Sequence, residues 1–519
     1  MKTTIRKNPS FTIVLFCWGS LLGAPADRLE LASPFAEHMV LQRQQSVPIW
    51  GWGEPGNTVT VSVAGQKAST PVGGDGRWRC DLPPLKAGGP HVFTVSDGTE
   101  TIRFTDVLVG EVWICCGQSN MEMGHNKVPE INKLVKETLQ AGRPVHCLEV
   151  QKMISFSEEE RCRAQWKCRP PDSAVAAAFA CLLQVAGDVP VAVVVTSWGS
   201  SSIEGWMPAD MTAKLPHFKK IMEAHNADRA LSQMIIETAT ASDGTIKRYC
   251  ENPQEHERLT QAHRNANIYA RTRPNMLYNA MLHPLIPMAC RGMVYYQGEA
   301  NTKSHEDMVQ YRTTQRLWLE RLRQAWNRPD FHLLSVMLPG FGRTLKSGPG
   351  WGDLEAVNAH SWAVMRDSQL GILDLPATGV ANTIDLGDEK NIHPGDKLPI
   401  AERLVLLARR DTLGETALLA SGPMLESVSV KGSEVTIRFT NATGLQTVDG
   451  EAPRAFWASE DGEEWHAAAA RIVDETVVLS VPAGVQPGQV RYAYAAMPKV
   501  NLVNEAGLPA YPFSFDVEN

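Results

Sequence analysis

After residue 27 the chain opens in short runs that alternate apolar and polar positions. SVPIWGWGEPGNTVTVSVAG (46–65) and DGRWRCDLPPLKAGGPHVFTVSDGTETIRF (75–104) cross several Gly and Pro turns. Period-two alternation with turns at this spacing predicts β-strands, and residues 27–106 read as an N-terminal β-sandwich domain. The pattern then changes. VLVGEVWIC (107–115), VPVAVVVTS (189–197), ACRGMVYYQ (289–297) and FHLLSVML (331–338) are near-continuous apolar runs. Between them lie stretches of helical period such as SAVAAAFACLLQVAG (173–187) and YRTTQRLWLERLRQAW (311–326). Buried strands alternating with helices predict an α/β domain over 107–412, a doubly wound parallel sheet with helices on both faces. Residues 207–275 are polar, helical in period and long for one connection, and read as a helical insertion. From 413 onward SVSVKGSEVTIRFT, TVVLSV and VRYAYA return to short strands, predicting a C-terminal β-sandwich domain over 413–519. The 519 residues exceed what one core usually serves, which agrees with several domains.

The first 26 residues stand apart. Lys2, Arg6 and Lys7 precede the apolar run FTIVLFCWGSLL (11–22) and the small residues GAPA (23–26). A basic start, a short apolar core and small residues at its end predict a secretory signal peptide and an exported protein, secreted, periplasmic or lumenal. The run is short for a membrane span, and no membrane partner is expected. The net charge of −7, with no long basic run, removes the usual footprint for nucleic acid. Ten cysteines become nine without Cys17, so at least one thiol is unpaired; Cys162 and Cys168 are close enough in sequence to pair. There is no Cys-x-x-Cys and no His-x-x-x-His, so neither a metal site nor another cofactor is expected. A single sequon, Asn441-Ala-Thr443, carries little weight.

Polar residues gather where the predicted parallel strands end. Ser119 follows 107–115 in the tetrad Gly-Gln-Ser-Asn. Gly199 follows 189–197, and Gln297, Glu299 and Asn301 follow 289–297. His393 follows VANTIDLGDEKNIHP (380–394). In an open α/β sheet ligands bind beyond the C-terminal strand ends. A serine needs a base to take its proton, histidine does this near neutral pH, and the oxyanion that follows needs fixed donors. Taken singly, each residue has an ordinary reading: Ser119 as a helix cap, Asn301 and Gly199 as turn residues, His393 as a loop residue. Together they describe a hydrolase.

The blocks GQSNM (117–121), SWGSSSIEGW (197–206), YYQGEANT (295–302) and IHPGDK (392–397) resemble, in order, those of the SGNH hydrolase superfamily. The resemblance is closer to the sialate O-acetylesterase family of carbohydrate O-acetylesterases, and the flanking segments MVLQR, VPIWGWGEPG and RYAYAAMPKVNLVNEAGLPAYPF extend it over nearly the whole chain. It implies an SGNH-type sheet and a serine esterase that removes O-acetyl groups from sugars, with 9-O-acetyl sialic acid as substrate ahead of acetylated xylan or another O-acetylated glycan; the alternative from a different class is a glycan-binding protein with an inactive esterase-like domain. Carried over by position, Ser119 is the nucleophile and His393 the general base. Ser119 N–H, Gly199 N–H and the side chain of Gln297 or Asn301 are the oxyanion donors. Gln118, Glu204 and Trp206 line the substrate side, with Glu204 also suited to ordering its loop and Trp206 to stacking on a sugar or to the core. Two positions depart from the pattern. Lys390 stands where many members carry an aspartate three residues before the histidine, leaving Asp388, Asp385 or Glu299 as the orienting acid, or a dyad without one. Ser200 stands where a second glycine is usual. Cys115 and Cys116 read as buried strand thiols, and His125 and His283 as makers of local hydrogen bonds.

Overall fold

A computed structural model describes residues 28–227, 229, 271–342, 353–357 and 362–517. The signal-peptide reading of residues 1–26 lies outside these, as does most of the 207–275 insertion, of which a helix at Pro216–Ala227 is described.

The chain is a mixed α/β protein built on one large mixed sheet. Its central path uses β1 (Thr101–Gly117), β2 (Val145–Val150), β3 (Ala164–Lys167), β4 (Val191–Ser197), β5 (Gly292–Tyr296), β6 (His332–Val336) and β7 (Thr378–Ala381), in spatial order β3-β2-β4-β1-β5-β6-β7. All neighbouring pairs are parallel except β3 with β2. Starting from β1, the chain builds β2 and β4 on one side and then crosses to build β5, β6 and β7 on the other. The order therefore reverses at β1, with β4 and β5 as its immediate neighbours, and this is where a crevice opens at the strand ends.

β1 explains why the sequence pattern changes at residue 107. From Thr101 to Asp106 its residues alternate between exposed and half-buried, and from Val107 to Gly117 every one is buried. The first half belongs to an antiparallel ribbon with Gly88–Ser96 and Thr58–Val63; the second is the centre of the parallel sheet. One continuous strand thus joins the N-terminal strands to the central sheet. The N-terminal ribbon and a three-stranded sheet of Glu30–Leu31, Val47–Trp52 and Arg77–Leu82 share one buried core with the main sheet, including Ile49, Val59, Val61 and Trp78.

Seven helices of a full turn or more cover this sheet in the described region: α1 (Ser119–Glu122) and α2 (Pro129–Gln140) after β1, α3 (Ala174–Gly187) before β4, α4 (Pro216–Ala227) and α5 (His305–Trp326) flanking β5, then α6 (Trp362–Leu370) and α7 (Leu398–Thr412) beside β7. The last two complete two packed pairs, α3 with α7 and α5 with α6. Ser173 caps α3 by accepting the Ala176 N–H at 3.2 Å. The small alanines of α3 are buried and allow close packing on α7.

Beyond α7 the strands form two four-stranded antiparallel sheets, one of Met424–Lys431, Glu434–Thr440, Ala469–Val473 and Thr476–Ser480, the other of Phe456–Ser459, His466–Ala467, Gln489–Tyr492 and Phe513–Asp516. Side chains fasten this region to the central sheet. Fully buried Arg366 on α6 donates to the carbonyls of Leu338, Pro339, Ala495 and Ala496. Asn382 donates to Pro509 O at 2.8 Å, and Tyr511 OH to Val380 O at 2.5 Å. The eight described cysteines are free thiols, so Cys162 and Cys168 are not paired. Among the described residues no helix is long and apolar enough to cross a membrane.

Candidate active site

β1 ends against two neighbours at once. Gly117 pairs with Ser197 on β4 and with Tyr296 on β5, and Gln118 N–H continues the ladder to Tyr296 O at 3.1 Å. Gly117 has φ +145°, and a Cβ there would stand 2.1 Å from Tyr296 O, so only glycine lets the chain turn at this point. The turn delivers Ser119 as the first residue of α1; Gln118 holds the cap position and makes no side-chain cap bond. Ser119 is not a capping residue. Its Oγ lies 2.8 Å from His393 Nε2.

His393 sits in the loop between β7 and α7. Asn391 shapes that loop, its Oδ1 accepting the His393 N–H at 3.0 Å and its Nδ2 donating to His393 O at 2.8 Å. Partial burial, then the positive charges of Lys397 and Lys127, hold the imidazole below the ordinary histidine value. Among the described residues no carboxylate lies within 4.0 Å of a His393 ring nitrogen, and the three candidate acids are engaged elsewhere. Asp388 Oδ1 accepts the N–H groups of Lys390 and Asn391, both at 2.7 Å, closing an Asx turn. Asp385 forms a two-bond pair with Arg403, both contacts at 2.7 Å. Glu299 is buried and accepts from Asn120 Nδ2.

Gly199 stands beside the nucleophile: a Cβ built on it would lie 3.4 Å from Ser119 Cβ. Its N–H is already used, donating to Glu122 Oε2 at 2.7 Å, and the other Glu122 oxygen pairs with Lys152. Ser200 next to it has φ +67°, the left-handed region, which accounts for the glycine usual at that position.

The side-chain amides expected to serve the oxyanion are committed to one another. Gln297 Nε2 donates to Gln118 Oε1 at 3.2 Å, to Ser201 O at 3.3 Å and to Asn301 Oδ1 at 2.9 Å. Asn301 Nδ2 donates to both Glu204 oxygens, at 3.1 and 3.0 Å, while its Oδ1 also accepts the Ile203 N–H. These groups brace the loops after β4 and β5 against each other. Neither amide is free to reach an oxyanion at Ser119. Glu204 and Trp206 are both buried. Glu204 is buried; burial alone would raise its carboxyl, but hydrogen bonds from His217, Ser202 and Asn301 bring it below the usual range. Trp206 is fully buried, donates to Ser201 Oγ at 3.0 Å and accepts from Trp318 through its carbonyl, so it is a core tryptophan. Gln118 is buried and accepts from Gln297 and from the Ala300 N–H. Cys115 and Cys116 are buried in β1 with their thiols pushed well up, away from the reactive range. His283 bonds Glu159 O at 2.8 Å, whereas His125 Nδ1 has no partner among the described residues.

Three residues of the site carry no signal strong enough to be singled out in the sequence: Glu122, Asn120 and Lys397. Glu122 lies three residues after Ser119, on the same side of one helical turn, which was the available clue. Lys397 ends the block IHPGDK and is fully buried, its Nζ donating to Asn120 Oδ1 at 2.7 Å. A group of ligand-type side chains, His38, Asp106 and Cys168, lies beside β1 at Asp106, away from the strand end that leads to Ser119.

Residues 259–397, which include Gln297, Asn301 and His393, match the family described as "Carbohydrate esterase, sialic acid-specific acetylesterase". A carbohydrate acetylesterase from Xanthomonas citri has the same fold, with a TM-score of 0.75 and 29% identity over 94% of this chain and 100% of that one. The chain is thus a carbohydrate esterase, a carboxylic ester hydrolase. Sialate O-acetylesterase of mouse is 27% identical over 85% of this chain and 84% of its own, and the human enzyme 27% over 80% and 77%. Residues 259–397 thus match a sialic acid-specific acetylesterase domain, and the chain is similar over most of its length to sialate O-acetylesterases.

Proposed function

We propose that this chain removes O-acetyl groups from sugars through an acetyl-serine intermediate, with O-acetylated sialic acid, substituted at the 9-position, as the preferred substrate class. The observation that carries the reading is the 2.8 Å contact between Ser119 Oγ and His393 Nε2 at a strand end. Ser119 Oγ attacks the acetyl carbonyl carbon while its proton passes to His393 Nε2. The oxyanion is held by the N–H of Ser119, which begins α1 and has no intrahelical acceptor, and by the N–H of Gly199 once Glu122 has moved off it. His393 returns the proton to the departing sugar oxygen, and water, deprotonated by the same imidazole, releases acetate and frees Ser119. The relatives named sialate O-acetylesterase support the substrate. A second reading, an acetylesterase acting on xylan or another glycan by the same steps, is favoured by the carbohydrate acetylesterase of the same fold.

The test is hydrolysis of p-nitrophenyl acetate by the wild type and by Ser119→Ala, followed by kcat/KM on 9-O-acetyl sialic acid and acetylated xylo-oligosaccharides. Loss of an activated nucleophile costs on the order of a millionfold in kcat where it has been dissected. A Ser119→Ala variant that keeps most of the turnover overturns the acetyl-serine step, and higher kcat/KM on the xylo-oligosaccharides overturns the sialate preference.

A further inference from the structure

The proposed reaction leaves His393 with Ser119 on one ring nitrogen and no described carboxylate near the other. Its neighbours in sequence and in space include a buried charged group that the reaction does not use. Asn120 follows the nucleophile and Ile392 precedes the base. Asn120 Nδ2 donates to Ile392 O at 3.0 Å and to Glu299 Oε1, and Asn120 Oδ1 accepts from Lys397 Nζ. An ammonium can only donate, so Lys397 fixes which end of the Asn120 amide faces which partner. One side chain therefore ties the turn carrying Ser119 to the loop carrying His393, and Lys397 sets its orientation.

We propose that Lys397 is a positioning residue for the Ser119–His393 pair: through Asn120 it locks the nucleophile turn to the histidine loop, and its buried positive charge keeps His393 in the neutral, proton-accepting form. The proposal rests on the acetyl-serine reading. Lys397 lies at the start of α7, fully buried, with its Nζ 5.3 Å from the centre of the Tyr296 ring. Burial pushes its ammonium down to about 8, against the opposing pull of Glu299 and Asp396, so it is mostly charged at neutral pH. Glu299 is the carboxylate opposite it, pushed above the usual range by burial and drawn back by Asn120 and Lys397. The charged groups acting on His393 are Lys397 from the start of α7 and Lys127 from the turn before α2, both positive. An orienting aspartate would favour the imidazolium. This arrangement does the reverse, and holds the ring in place through its backbone and through Ser119.

The test uses the full chain with p-nitrophenyl acetate across pH 5–9, comparing wild type, Lys397→Met, Lys397→Arg and Asn120→Ala, with circular dichroism as the folding control. In Lys397→Met, kcat is expected to fall about 100-fold, the order of loss for a reacting group misplaced by an ångström, with KM nearly unchanged. The acid limb of the profile moves to higher pH, and Lys397→Arg brings it back. A Lys397→Met variant with unchanged kcat and limb overturns the proposal, as does one that loses kcat with the limb unmoved. If Lys397→Met does not fold, Asn120→Ala decides: a large fall in kcat at constant KM supports the link, and wild-type kcat overturns it. A wild type without Ser119-dependent turnover removes the acetyl-serine reading and this proposal with it. An active wild type with indifferent variants removes this proposal alone.

Discussion

Glu122 and Gly199 are joined by a 2.7 Å hydrogen bond in which the carboxylate accepts a backbone N–H directly beside the nucleophile. The Glu122 oxygen holds the position that a negatively charged acyl-transfer intermediate would take against the same donor. A substrate has to displace it.

The first prediction follows from that contact. A hydrogen bond to a charged group contributes about 1.5–3 kcal/mol, so Glu122→Ala is expected to raise kcat/KM for p-nitrophenyl acetate by roughly tenfold. Steady-state kinetics decide, and a loss of activity would mean that the carboxylate braces the 197–206 loop instead of blocking it.

The second concerns pH. His393 must be neutral to accept the Ser119 proton, and its imidazole is held below the ordinary histidine value by burial and by Lys397 and Lys127. A lowered value keeps the base form available at lower pH. The acid limb of kcat/KM is therefore expected below the unperturbed value of about 6.5. A limb above that value contradicts the environment described.

The third separates the acids. Asp388 serves a turn through an acceptor oxygen that asparagine also has, so Asp388→Asn should leave kcat within about twofold. Asp385→Asn breaks the pair with Arg403 and should cost roughly 1 kcal/mol of stability with little change in kcat. A hundredfold fall in kcat for Asp388→Asn would show that it reaches His393 during turnover.

The fourth tests the attachment of the C-terminal region. Arg366→Met leaves the carbonyls of Leu338, Pro339 and Ala495 without their buried donor, while Ala496 O keeps the Phe341 N–H; each orphaned group costs about 1–3 kcal/mol, so a loss of roughly 3 kcal/mol or more is expected. Urea unfolding monitored by tryptophan fluorescence measures it. A loss below 1 kcal/mol would show that water replaces the guanidinium.

The legible part of this molecule was its central sheet. Long apolar runs such as VPVAVVVTS are buried on both faces and announce parallel strands. VHCLEV at β2 and TGVA at β7 did not stand out, because the first is broken by polar residues and the second is only four residues long. The shift at residue 107 is a change of burial within β1, which sequence shows as a change of segment. Strand ends located Ser119, Gly199 and His393, since the reversal of strand order gathers them. Spacing could not show how amides divide their bonds. Gln297 sits directly at a strand end, yet its hydrogens go to Gln118, Ser201 and Asn301. Nearness in sequence also misled for Asp388, whose short side chain folds back on its own backbone.

The pairing of Gly117 with Ser197 on one side and Tyr296 on the other works as a ruler. Adjacent strands stand about 4.8 Å apart whatever side chains they carry, so the gaps between the nucleophile turn and its two flanking loops are set by backbone pairing alone. Side chains of loops 200–206 and 298–304, Glu204 and Asn301 among them, then brace each other across a gap whose width the strands have already fixed. Spacing of the reacting atoms and bracing of the loops are thus separate devices, and loosening a single brace should leave the strand-end spacing in place.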